Sequence, residues 1–87
     1  MIIVVTHTIS NPAEFWAAAQ RELPNLPAGI KIHQVMPNKE GTLATCVWQG
    51  NDVAHLTAYL EEKTGAYAKN VYMAVEVANG MNVPGAK

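Results

Sequence analysis

Two helix-start signals, each set between runs of β-forming residues, divide this chain into two strand–helix–strand halves. The first signal is Asn11-Pro12-Ala13-Glu14. Asn can accept from the free N–H groups of a first turn, Pro suits the first helical position, and Glu three residues after Asn matches a capping box. The second is Gly50-Asn51-Asp52, which ends one strand and caps the next helix. A β-branched run at residues 2–8 precedes the first signal and a run at 30–36 follows it. Residues 42–49 precede the second signal and 71–77 follow it. The order β-α-β-β-α-β is the split βαβ arrangement. It predicts an α+β, ferredoxin-like fold, a four-stranded antiparallel sheet with both helices on one face.

The helices carry their own stripes. Over residues 12–23, Phe15, Ala19 and Leu23 recur every fourth position, and Pro24 and Pro27 cannot continue the ladder. Residues 37–41, Pro-Asn-Lys-Glu-Gly, read as a hairpin connection. Val53, Leu56 and Leu60 mark the second stripe, and Gly65 stops that helix after Lys63 and Thr64. Residues 1–78 form one domain. Residues 79–87 carry no periodic signal and are expected to be flexible or to contact a partner subunit.

The composition sets the stakes. Charged residues make up 15% of the 87, against about 25% in ordinary domains. Hydrophobic residues make up 49%, and a domain this small hides only about 60% of its unfolded surface. Apolar surface is therefore left over, which points to an interface or a ligand groove. The net charge is -1 and the six Lys and Arg are scattered, which argues against nucleic acid or a membrane surface as partner. One cysteine excludes an internal disulfide. No apolar run has the length of a membrane span and no signal peptide is visible, so a cytoplasmic location is expected.

A four-stranded sheet with helices on one face leaves its other face to water, a ligand or another sheet. Alternation assigns side chains to faces. The aliphatic set Val71, Met73, Val75 and Val77 is assigned to the helices, which leaves Tyr72, Ala74 and Glu76 open. Ile30 and Ile32 are assigned to the helices, with Lys31, His33 and Val35 open. Leu43, Thr45 and Val47 go to the helices, with Cys46 and Trp48 open. In the first strand Ile3, Val5 and His7 share one face and Ile2, Val4, Thr6 and Thr8 the other, with either assignment possible. The expected open face thus holds His33, Cys46, Trp48, Tyr72 and Glu76, joined by His7 in one of the two assignments. With Trp48 at a dimer seam, Trp48→Glu is expected to weaken the dimer.

Element order, length and sheet character over residues 2–78 resemble the dimeric α+β barrel superfamily. Within it, Ile32-His33-Gln34-Val35 and Thr45-Cys46-Val47-Trp48 resemble the domain of unknown function 4242, a group described as nickel-binding. The chain differs from that group at Thr6-His7-Thr8, where the group carries charge. It differs again at Gly65-Ala66-Tyr67-Ala68, which lacks the group's His and Pro. The resemblance implies a homodimer of face-to-face sheets, with a pocket inside the barrel or between sheet and helices.

Two readings follow. In the first, a small aromatic molecule is bound or converted, with His7, His33 and Glu76 as candidate acid–base groups. Trp48, Tyr72 and Tyr67 are its candidate ligand-lining aromatics. In the second, the protein is a metal-binding or purely structural dimer, with His33 and Cys46 as candidate ligands for a transition metal such as nickel. No CxxC, HxH or HExxH spacing occurs. The residues alone leave open whether the chain is an enzyme and whether any cofactor is used. His55, at the start of the second helix, is expected to be solvated.

Overall fold

The computed structural model describes residues 1–81 and 83. Four strands and two helices follow the expected order: β1 (Ile2–Ile9), α1 (Pro12–Glu22), β2 (Lys31–Pro37), β3 (Leu43–Gln49), α2 (Val53–Thr64) and β4 (Ala68–Ala74). The sheet order is β2-β3-β1-β4 and every pairing is antiparallel. This is the ferredoxin-like βαββαβ arrangement.

Local chemistry accounts for the element ends. The Asn11 carboxamide oxygen accepts from the Glu14 N–H at 3.3 Å, and the Asp52 carboxylate accepts from the His55 N–H at 2.7 Å. Helix α1 stops at Glu22, and Leu23 opens a 3₁₀ turn that ends at Asn25. In the hairpin between β2 and β3, the Asn38 carboxamide oxygen accepts from the N–H groups of Thr42 and Leu43. Gly41 sits at φ +74°, and a Cβ there would stand 3.0 Å from the Trp16 ring nitrogen. That nitrogen donates to the Gly41 carbonyl at 2.9 Å, tying α1 to the hairpin.

The core lies between the helices and one face of the sheet. Ile3, Val5, Ile30, Cys46, Trp48, Leu56 and Leu60 form its larger cluster. Ile9, Phe15, Ala44 and Ala68 form the smaller one. Burying a side chain such as Leu56, which is fully enclosed, contributes about 1.5–3 kcal/mol.

Three expectations are corrected here. First, the last strand is Ala68–Ala74 rather than 71–77. The turn after α2 lets the Tyr67 carbonyl accept from Ser10 and Asn11, so β4 begins at once and pairs Ala68 with Ile9. Second, the faces of β3 and β4 are reversed. The register sets Val5 beside Cys46 and Tyr72, and His7 beside Ala44 and Asn70, all on the helix side with the core residue Val5. Val71 and Met73 face away. Third, a bulge at His33 shifts the β2 register. Ile32 stays on the helix side as expected, but Val35 joins it against the core.

The other face is consequently the aliphatic one. One cross-strand row reads Met36, Thr45, Thr6, Val71, and the next reads Gln34, Val47, Val4, Met73. Met36, Leu43, Val71 and Met73 are 46%, 48%, 59% and 59% exposed.

Candidate functional site

The site grows out of two small residues. Ala18 and Ala19 face the sheet from α1 where larger side chains would fill the layer, and a cavity remains beneath them. Its floor is His7, Cys46 and Trp48, from the central strands, with Val35 at the edge. Its roof comes from both helices, with Phe15, Trp16, Tyr59 and Leu60 among the contributors. The cavity opens to solvent at its mouth, and about 40 Å³ of it is open to the centre of a water molecule, more than the roughly 10–15 Å³ that a single water needs.

The charged lining residues, Glu22 and Lys63, come from the last turns of the two helices. The Tyr59 hydroxyl donates to Glu22 Oε1 at 3.2 Å, and Lys63 Nζ lies 3.9 Å from the same oxygen. Burial and the adjoining Glu22 push the Tyr59 hydroxyl up to about 12, so it stays a donor.

Two of the lining residues carry a buried polar atom without a partner. His7 is 2% exposed and Trp48 is 4% exposed. His7 Nε2 and Trp48 Nε1 have no hydrogen-bond partner among the described residues. A buried polar group left so costs about 1–3 kcal/mol, which makes both atoms features to be explained. His7 is otherwise held firmly. Its Nδ1 meets Asn70 Oδ1 at 2.6 Å, and Phe15 packs edge-on against its ring with centroids 5.1 Å apart. Asn70 Nδ2 in turn donates to Glu61 Oε2 at 2.9 Å and to Thr64 Oγ1 at 3.2 Å. The Tyr72 hydroxyl donates to the same Glu61 oxygen at 2.6 Å. Burial lowers the His7 pKa below its ordinary value, against the opposing pull of Asn70 and Glu61. The ring is therefore neutral at pH 7.

The structure brings His7, Trp48 and Cys46 into one cavity but on the helix side of the sheet, not on the open face where sequence reasoning set Trp48 and Cys46. Tyr72 also lies on the helix side, beyond the cavity lining, with its hydroxyl on Glu61. Tyr67 packs on the smaller cluster and does not line the cavity. Glu76 lies past the end of β4, exposed, six residues beyond the Asn70 that pairs with His7. It does not join His7, because β4 begins three residues earlier than expected. His55 is exposed at the start of α2.

The pairing of His33 with Cys46 does not form. His33 Nε2 bonds Gln49 Oε1 at 2.8 Å, and Gln49 shares the outward face with Val47, whereas Cys46 points under the helices. Burial also pushes the Cys46 thiol up to about 11, which keeps it protonated and a poor ligand. Among the described residues no cluster of three or more His, Cys, Asp or Glu could hold a metal ion. These residues do not fit a nickel site.

Asn70, Glu61 and Thr64 were not singled out by sequence reasoning. One signal was available: Asn is depleted in strands, and Asn70 sits inside one. Also among the described residues, no helix is long and apolar enough to cross a membrane. The fold thus defines the class of this protein, a ferredoxin-like α+β domain with a cavity between its helices and sheet. Comparison with known proteins finds no matching family model, curated protein or solved structure.

Proposed function

We propose that this protein is a homodimer that binds a small aromatic molecule in the cavity between helices and sheet. The observation that carries the reading is that His7 Nε2 and Trp48 Nε1, both buried and both without a protein partner, belong to residues lining one apolar cavity. Such a site suits a ligand with a flat apolar body and few polar atoms. Trp48 offers a hydrogen-bond donor and the aromatic rings offer edge and face contacts.

The dimer accounts for the other side of the sheet. The rows running from Met36 to Val71 and from Gln34 to Met73 carry no charge. Such a face, pressed on its own copy about a twofold axis, buries aliphatic surface on both partners. This is the geometry of a dimeric α+β barrel.

Titration with 2-naphthol and 2-methoxynaphthalene, followed by intrinsic tryptophan fluorescence, tests the cavity. Saturable quenching by at least one of them is expected in the native protein. It should be lost in Ala19→Phe, which fills the cavity from a half-buried position on α1. An absence of saturable response to either compound counts against the cavity as a ligand site. Light scattering tests the assembly, and a monomer mass at micromolar concentration rejects the dimer.

A further inference from the structure

The hydrogen-bond chain behind His7 determines which of its two ring nitrogens carries the proton. Glu61 Oε2 is a carboxylate oxygen and only accepts. Thr64 Oγ1 spends its proton on the Leu60 carbonyl at 2.8 Å, so it also accepts from Asn70. Both acceptors lie against Asn70 Nδ2. The carboxamide therefore presents Oδ1 to His7, and His7 Nδ1 must donate to it at 2.6 Å. In a neutral ring the remaining nitrogen, Nε2, then holds a lone pair. That nitrogen is the buried atom without a partner.

From this we infer that the cavity selects a neutral hydroxyaromatic molecule, a phenol or naphthol, whose O–H donates to His7 Nε2, and that Asn70 is the positioning residue that sets this preference. The inference rests on the cavity being the ligand site and adds the chemistry of the ligand to it. A carboxylate is disfavoured because His7 offers no proton to it and Lys63 lies nearest to Glu22 and Glu62. An aromatic ether has the same flat body but no proton to give, and it leaves Nε2 unsatisfied. Trp48 stands opposite Ile3, four residues along β1 from His7, so the two backbone positions are about 13 Å apart by strand rise.

The test compares 2-naphthol with 2-methoxynaphthalene on the native protein. Binding of the naphthol is expected to be at least tenfold tighter. Nitrogen-15 NMR of the His7 ring provides the readout that a purely structural role would leave unmoved. It should show a proton on Nδ1 and a bare Nε2, whose resonance shifts on adding naphthol. In Asn70→Ala the ring is released to the Nε2–H form, a donor, so the preference for naphthol over ether should vanish or invert. Equal affinity of the native protein for the two compounds overturns this inference while leaving the cavity as a binding site. Binding of neither overturns both. A proton found on Nε2 of the native His7 overturns the role given to Asn70, even if Asn70→Ala fails to fold.

Discussion

The two faces of the sheet are built on opposite plans. The face under the helices carries His7, Asn70, Tyr72, Trp48 and Cys46 beside the aliphatic Ile3 and Val5, while the face without helices carries Val4, Val47, Val71 and Met73 beside Thr6, Thr45 and Gln34. The difference teaches that the shielded face combines aliphatic packing with buried polar groups, whereas the outer face combines exposed aliphatic side chains with hydroxyl and amide groups. The helix side trades close packing for a cavity with two unpartnered polar atoms. The aliphatic side keeps the surface that a second sheet would cover.

Charge placed on each face separates the two plans most sharply. Val71→Glu on the outer face should dissociate the proposed dimer and halve its mass in light scattering, with the helices intact by circular dichroism. Trp48→Glu, placed under the helices, should unfold the protein instead. A Trp48→Glu variant that folds and merely dissociates would break the comparison.

Leu56→Ala measures the shielded side. Leu56 is fully buried against Ile3, Val5 and Trp48, so the loss should be about 2–5 kcal/mol in chemical denaturation. The same truncation at Met73, 59% exposed, should cost under about 1 kcal/mol in dilute conditions where a dimer is not populated.

The polar residue of the shielded side should also give a pH signature. The folded pKa of His7 is lowered by burial, while the unfolded value is about 6.5. Above that value both states are neutral and His7 contributes no pH dependence. As the pH falls through it the unfolded state takes up a proton first, so stability declines by at most about 1.4 kcal/mol per pH unit until the folded pKa is reached. His7→Gln should remove that decline from melting curves recorded between pH 7 and pH 5. A decline of equal slope in the variant would assign it elsewhere.

The smallest effect sharpens the view of Trp48. Its ring N–H is buried without a partner, so Trp48→Phe removes a desolvated donor along with some packing area. The two terms oppose, and the net change in stability should stay within about 1 kcal/mol. A larger loss would mean that the N–H is already satisfied.

Much of the fold was legible in the residues. Asn11-Pro12, Asp52 and the spacing of Leu56 and Leu60 act within one turn of chain, through caps and stripes that need no distant partner. The alternation along 2–8 and 42–49 was legible for the same reason. The site was only half legible. His7 and Trp48 were marked by their chemistry, but Asn70, Glu61 and Thr64 gain meaning only through contact with His7 and with each other.

What the sequence determined by itself was the order and number of elements and the two alternating sets on β1, β3 and β4, because backbone geometry and capping are local. Which set lies under the helices was decided only by the tertiary structure. Alternation has a period of two and is blind to a choice of side. A one-residue bulge at His33, a strand that begins at Ala68 and the cross-strand register around Val5 settled that choice. Each of these is a long-range pairing that composition along the chain does not record.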